Sequence, residues 1–154
     1  MPSILFVCTA NRFRSPIAAA CFKKELVVRH TEGGWKVMSA GTWTTDGLPA
    51  TPGAISGARR IGLDISRHAS RVITGQLMQE ADLIIVMEEG QREALRSEFR
   101  QSAQKIHLLS EATSGSSYDI PDPAASMAGA EVPGEIDELI HSGFEKICAL
   151  VGKS

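Results

Sequence analysis

The residues with the clearest chemical potential lie in the stretch VCTANRFRSP, residues 7–16. Cys8 ends an apolar run, and Arg14 follows it six positions later. A cysteine thiolate is a nucleophile, and the planar guanidinium of arginine matches two oxygens of a phosphate. We therefore expect a site in which Cys8 attacks a phosphoryl group that Arg14 holds.

The residues around this pair predict a loop that connects a buried strand to a helix. The run from Ile4 to Cys8 is typical of a strand covered on both faces, and Ser15 followed by Pro16 is typical of an N-cap and a first helical position. Loop N–H groups and the helix dipole would favour an anion and the thiolate form of Cys8. We expect Ser15 to cap the helix and to donate its hydroxyl to that thiolate. The alternative is a buried apolar cysteine and an unrelated surface arginine, and the strand–loop–helix context favours the site.

The rest of the chain alternates strand and helix patterns. Strands are predicted at 35–40, 81–88 and 105–109, and helices at 16–30, 51–62, around 94–99 and at 134–153. Residues 110–134 are rich in Ser, Gly, Pro and Ala and predict a long loop. This order predicts an α/β fold in a single domain over residues 1–154. Its four-stranded parallel twisted sheet would carry helices on both faces and the phosphate-binding loop after strand 1.

Composition excludes several other classes of protein. A net charge of -2 over 154 residues gives no basic footprint for nucleic acid. The three cysteines, Cys8, Cys21 and Cys148, form neither a disulfide framework nor a zinc pattern. The apolar runs are too short to span a bilayer, and the amino terminus lacks a signal-peptide pattern. We expect a cytoplasmic protein that binds no metal, nucleic acid or membrane.

The loop and four further motifs resemble the low-molecular-weight protein tyrosine phosphatases. The loop matches the family's C-x5-R-S-P pattern with asparagine at its fourth position. The other motifs follow in the family's order over nearly the whole chain: MSAGT (38–42), GLDISRHASRVI (62–73), ADLIIVME (81–88) and IPDP (120–123).

The resemblance implies a role for each matching residue. Cys8 would form a phosphocysteine, Arg14 and the loop amides would hold the phosphoryl oxygens, and Asp122 would act as general acid and then as general base. Asn11, Ser39 and His68 would brace the loop, with no cofactor and no metal. The residues implied to bind phosphate are Thr9, Ala10, Asn11, Arg12, Phe13, Arg14 and Ser15.

Several of these residues also have structural explanations. The Asp122–Pro123 pair is ordinary turn chemistry, and Asp119 is the alternative acid. His68 could satisfy a core polar group or cap a helix, and Ser39 could simply end a strand. Asn11 tolerates left-handed backbone. The remaining histidines, His30, His107 and His141, are expected to be structural or surface residues. The cysteines Cys21 and Cys148 are expected to pack as small hydrophobic residues.

Two loop positions depart from the family. Many members carry a second cysteine where Phe13 stands, and that cysteine forms a reversible disulfide with the nucleophile. Position 12 lines the cleft, and a phosphoarginine-specific branch carries threonine there. Arg12 should disfavour a guanidinium substrate and favour acidic residues beside a phosphotyrosine.

A third departure concerns the rim of the cleft. The family's Asp-Pro is often followed by aromatic residues, whereas Ala124 and Ala125 follow it here. We expect a wider and less apolar rim, unless Trp43 or Tyr118 supplies an aromatic wall.

The sequence leaves three other functions open. An arsenate reductase of this fold would need further cysteines near the end of strand 3, and residues 82–96 contain none. A phosphoarginine phosphatase and a non-catalytic phosphate-binding module are the others. For the main hypothesis, the partners would be phosphotyrosine proteins and a tyrosine kinase that modifies them. The protein itself would be a monomer or a weak dimer.

Overall fold

A four-stranded parallel sheet forms the centre of the computed structural model, which describes residues 1–123 and 130–151. The strands lie in the order β2-β1-β3-β4. Their bounds are β1 Ser3–Cys8, β2 Lys36–Gly41, β3 Leu83–Val86 and β4 Ile106–Leu108. The register pairs Cys8 with Gly41 and Val7 with Val86, so the carboxyl ends of β1, β2 and β3 meet at one edge.

Six α-helices and two short 3-10 segments connect these strands within the described residues. The helices are α1 Arg14–Val28, α2 Pro52–Arg60, α3 Gly75–Glu80, α4 Glu89–Glu98, α5 Leu109–Ser114 and α6 Val132–Ala149. The 3-10 segments are Glu32–Gly34 and Arg100–Lys105. None of the helices in the described part of the chain combines the length and the apolar character needed to cross a membrane.

Side chains that alternate along β1 divide the core into two layers. Ile4, Phe6 and Cys8 pack with residues of α1 and α6 on one face of the sheet. Leu5 and Val7 pack on the other face, against residues of α3 and α4. Every residue of β1 is buried, as expected for a strand covered on both sides. The predicted fold class, with helices on both faces, is confirmed.

The predicted loop over residues 110–134 is wrong at both ends. Helix α5 occupies Leu109–Ser114, and α6 begins at Val132 rather than at 134. Residues 109–114 have a weak intrinsic helix propensity, but they form α5 because this helix packs against α6. Thr113 of α5 occupies the space that Gly143 of α6 leaves by having no side chain. A Cβ on Gly143 would lie 2.5 Å from the Thr113 Cβ. Helix α3, which Thr74 caps through the Leu77 N–H, was also missed.

Candidate active site

The loop between β1 and α1 places two hydrogen-bonding groups of Ser15 next to Cys8. Cys8 is buried, with its Sγ atom 3.0 Å from the Ser15 Oγ and 3.4 Å from the Ser15 backbone nitrogen, which donates to it. The predicted helix start is wrong by two positions, because α1 begins at Arg14 and Phe13 occupies the cap. The Ser15 hydroxyl therefore hydrogen-bonds to the Cys8 thiol and does not cap the helix.

Asn11 connects the loop to its surroundings from a left-handed backbone conformation. Its φ is 56°, and its buried side-chain amide donates to the Oγ atoms of Ser15 at 2.7 Å and Ser39 at 3.0 Å. The Asn11 Oδ1 accepts from the backbone N–H of Arg71 at 2.9 Å. Because Ser15 Oγ accepts from Asn11, its own hydrogen can point to Cys8. Both explanations of Asn11, tolerance of left-handed backbone and bracing of the loop, describe the geometry.

His68 braces the same loop residue through the backbone. Its Nε2 lies 2.6 Å from the carbonyl oxygen of Asn11, and therefore carries the proton that it donates. Burial lowers the pKa of His68 below its ordinary value, the bond to Asn11 opposes this shift, and nearby Lys23 adds to it. His68 is therefore mainly neutral at pH 7, and it holds the loop with a donor that does not depend on charge.

The last residue of β2 and the two residues after it contact the loop closely. A Cβ on Gly41 would lie 2.7 Å from the carbonyl oxygen of Thr9, so a side chain at this position would displace the loop. The backbone N–H groups of Thr42 and Trp43 donate to the carbonyl oxygens of Cys8 and Thr9. The MSAGT motif thus supplies the space at Gly41 and the Thr42 donor, and Trp43, directly after it, supplies the second donor.

Arg14 is held by groups that sequence reasoning missed. The residue as a whole is 2% exposed. Its Nη1 donates to Glu88 Oε1 at 2.9 Å and to the Ile120 carbonyl oxygen at 2.8 Å, while Nη2 lies 3.8 Å from Asp122 Oδ2. Glu88 follows β3, whose carboxyl end neighbours that of β1. The signal in the sequence that could have indicated Glu88 is its position as a polar residue at the carboxyl end of a strand, where ligands bind in parallel sheets.

A cleft of about 400 Å³ opens above the loop. It is lined by Cys8, Thr9, Ala10, Arg12, Phe13, Arg14, Thr51, Asp122 and Pro123. Arg12 donates from Nε to the carbonyl oxygen of Pro49 at 2.8 Å, so its guanidinium is fixed at this cleft. Phe13 is the aromatic residue among these lining residues, whereas Trp43 and Tyr118 are not among them. Ala124 and Ala125 lie outside the described residues.

The two candidate acids occupy different places. Asp122 lines the cleft and lies near Arg14. The Oδ1 of Asp119 accepts from the backbone N–H of Glu89 at 2.8 Å, at the start of α4. This position favours Asp122 as the acid and gives Asp119 a structural contact.

The other thiols have different environments. Cys21 on α1 is fully buried, and Cys148 on α6 is half-buried. Burial raises the pKa of both thiols, which disfavours the thiolate that exchange chemistry needs. Within residues 1–123 and 130–151, no group of three or more His, Cys, Asp or Glu side chains could hold a metal ion.

Comparison with known proteins identifies the family to which a chain with this fold and this loop belongs. The family model described as low molecular weight phosphotyrosine protein phosphatase matches residues 3–154. The chain belongs to this family.

Different relatives within the family are named for different phosphatase activities. A probable low molecular weight protein-tyrosine-phosphatase EpsP from Ralstonia nicotianae is 36% identical over 121 residues, covering 79% of this chain and 77% of the relative. A protein-arginine-phosphatase from Bacillus subtilis is 36% identical over 143 residues, covering 90% and 91%. A structure of a cysteine-to-serine mutant of YwlE arginine phosphatase, with the active-site serine phosphorylated, superposes with a TM-score of 0.85 at 30% identity, covering 95% of each chain.

Proposed function

We propose that this protein hydrolyses phosphotyrosine in phosphoproteins through a phosphocysteine intermediate. One observation carries the proposal: the cleft contains the Cys8 thiol, the anchored Arg14 guanidinium and the Asp122 carboxyl together. A nucleophile, a fixed cation and a proton donor are the groups that transfer of a phosphoryl group requires.

The first step forms the phosphoenzyme. The Cys8 thiolate, with Ser15 as its hydrogen-bond partner, attacks phosphorus as the bond from phosphorus to the phenolic oxygen breaks. Arg14 and the loop N–H groups hold the phosphoryl oxygens over which charge spreads. Protonated Asp122 gives its proton to the leaving oxygen, so the product is neutral tyrosine rather than a phenolate.

The second step regenerates the thiolate. Asp122, now a carboxylate, takes a proton from water while the water oxygen attacks phosphorus. The phosphorus–sulfur bond breaks, and inorganic phosphate leaves with Cys8 again as thiolate. The phosphorylated active-site serine in the YwlE structure supports a covalent intermediate at the corresponding position.

The residue at the cleft wall supports tyrosine over arginine as the phosphorylated side chain. Arg12 lines the cleft, and its Nε donates to the carbonyl oxygen of Pro49, so its guanidinium would lie beside a substrate in the cleft. A phosphoarginine substrate would place a second guanidinium group near it, and like charges repel. An aryl phosphate has no such cost, and acidic residues beside it would pair with Arg12.

An arsenate reductase and a phosphate-binding module have less support. A reductase needs a second reactive thiol, and desolvation raises the pKa of both buried Cys21 and half-buried Cys148. A module that only binds phosphate needs neither a thiol nor an acid in its cleft. A tyrosine kinase as partner, a cytoplasmic location and a monomeric or weakly dimeric state remain parts of the proposal.

Steady-state hydrolysis tests the proposal directly. The wild-type protein should release phosphate from p-nitrophenyl phosphate and from phosphotyrosine peptides in the presence of EDTA, with little release from phosphoarginine peptides. Cys8→Ser should abolish turnover but still bind inorganic phosphate, because Arg14 and the loop amides remain. Turnover that persists in Cys8→Ser, or that requires added divalent metal, would refute the mechanism. Preference for phosphoarginine would refute the substrate.

A further inference from the structure

Gln91, on the first turn of α4, contacts both the end of β3 and the phosphate-binding loop. Its side-chain oxygen accepts from the backbone N–H groups of Met87 and Glu88, each at 3.1 Å. Its Nε2 donates to Thr9 Oγ1, also at 3.1 Å. Gln91 as a whole residue is 7% exposed; its bond to Met87 is buried, and those to Glu88 and Thr9 are partly buried.

The orientation of this amide is determined by its partners. Two backbone N–H groups face the Gln91 oxygen, and a reversed amide would place its NH₂ against both donors. The Nε2 atom must therefore face Thr9. The Thr9 hydroxyl acts as the acceptor, so its own hydrogen can donate to a second partner.

Thr9 is the residue directly after the nucleophile, and it is held on two sides. Its carbonyl oxygen accepts from the backbone N–H of Trp43, on the β2 side of the loop, at 2.9 Å. Its side chain is held by Gln91, on the β3 side. Thr9 also lines the cleft beside Cys8. A shift of Thr9 would change the loop that must fit the phosphoryl oxygens.

We propose that Gln91 is a positioning residue for phosphoryl transfer: through Thr9 it fixes the first turn of the loop in the shape that the transition state requires. The inference rests on the proposed function, because Gln91 would position the loop of that same site. Gln91 is not among the residues that line the cleft, and its side chain reaches the loop through Thr9. Its neighbour Glu88 holds Arg14, so one short turn after β3 positions both ends of the loop.

A double-mutant cycle with vanadate as the probe tests this coupling. Vanadate imitates the five-coordinate phosphorus of the transition state, and inorganic phosphate imitates the ground state. Gln91→Ala and Thr9→Val each remove the side-chain bond. Thr9→Ser keeps the hydroxyl. Ser102→Ala is the matched control, because it removes another buried hydrogen bond, to the Met78 carbonyl oxygen, in a different part of the chain.

We expect Gln91→Ala and Thr9→Val each to weaken vanadate binding by about 2- to 12-fold, the effect of one lost hydrogen bond. Phosphate binding should weaken less. The double variant should be no weaker than either single variant, because both remove the same interaction. Thr9→Ser keeps the hydroxyl and should lose less vanadate affinity than Thr9→Val. Ser102→Ala should lower the melting temperature without changing that affinity.

Multiplicative losses in the double variant, or wild-type affinity in Thr9→Val, would overturn the inference. If Gln91→Ala does not fold, the contrast between Thr9→Val and Thr9→Ser decides it. The vanadate measurement does not depend on turnover. A wild-type protein that bound vanadate but hydrolysed no aryl phosphate would refute the proposed function, and the cycle would still test Gln91.

Discussion

The Nη1 atom of Arg14 lies 2.9 Å from Oε1 of Glu88, so the buried cation of the loop is anchored by a carboxylate from the turn between β3 and α4. The side chain of Arg14 is 3% exposed and that of Glu88 is 30% exposed. A buried guanidinium without a partner is costly, and a guanidinium that rotates cannot hold two phosphoryl oxygens at once. The pair therefore contributes both to stability and to the direction in which Arg14 points.

Glu88→Ala should reduce kcat/KM by about 10- to 100-fold, the range for losing a hydrogen bond to a charged group. Glu88→Gln retains an acceptor for Arg14 and should lose much less. Kinetics on p-nitrophenyl phosphate, with melting temperatures for both variants, measure the difference. Equal losses in the two variants would mean that the charge of Glu88, rather than its hydrogen bond, is what Arg14 needs.

Asp122→Ala should slow substrates with poor leaving groups more than activated ones. A phenolate of tyrosine needs the proton, whereas nitrophenolate needs it less. General acid catalysis is worth about 10²- to 10⁴-fold. Hydrolysis rates for a series of aryl phosphates should depend more steeply on leaving-group pKa in the variant. Asp119→Ala is the matched control and should mainly lower stability, because Asp119 accepts from the Glu89 N–H. If Asp119→Ala gave the steeper dependence, the assignment of the acid would be reversed.

His68 should make the protein less stable as the pH falls. Its pKa is lowered in the folded state, so the unfolded chain takes up the proton first, below about pH 6.5. The stabilisation from neutral His68 is therefore present above that pH and is lost as the pH falls towards its folded pKa. One proton gives a slope of at most about 1.36 kcal/mol per pH unit, and partial exposure of His68 reduces it.

His68→Gln isolates this contribution because glutamine can still donate to Asn11 without titrating. Urea unfolding of both proteins between about pH 7 and pH 5 should show a shallower fall for the variant. His107, whose pKa burial also lowers, is present in both proteins and cancels in the comparison. Parallel curves would show that His68 does not set the dependence.

Phe13 leaves oxidised Cys8 without an adjacent thiol. Peroxide converts a thiolate to sulfenic acid, which a nearby thiol can trap as a disulfide with loss of water. Phe13→Cys should therefore recover more activity with dithiothreitol after peroxide than the wild-type protein, and Phe13→Ser controls for the lost aromatic packing. Mass analysis of the Cys8 peptide should show sulfinic acid in the wild-type protein. A disulfide from Cys8 to buried Cys21 or to half-buried Cys148 would contradict the structural role expected of those thiols.

Spacing within the loop predicted the loop's own groups, and the family resemblance added Asp122, Ser39 and His68 from distant segments. Neither pointed to Glu88 or Gln91. Cys8, Arg14 and Ser15 lie within one loop, so their spacing carries the chemistry. The end of β3 approaches Arg14 only through the strand order, and no local pattern distinguishes Glu88 there from a surface carboxylate. Ser15 was misplaced as a cap because a Ser-Pro pair fits either of two helix positions. The turn of the loop at Asn11, which has a left-handed backbone conformation, determines that the helix begins at Arg14.

The two tryptophans are positioned to report on different events. The ring of Trp35 packs edge-on against Phe22, with centroids 5.2 Å apart, so its fluorescence should follow unfolding of the core. Trp43 is 84% exposed, and its backbone N–H donates to Thr9. Its emission should respond when an anion tightens the loop. Trp35→Phe and Trp43→Phe would separate the two signals, so ligand binding and folding could be followed in one unlabelled sample.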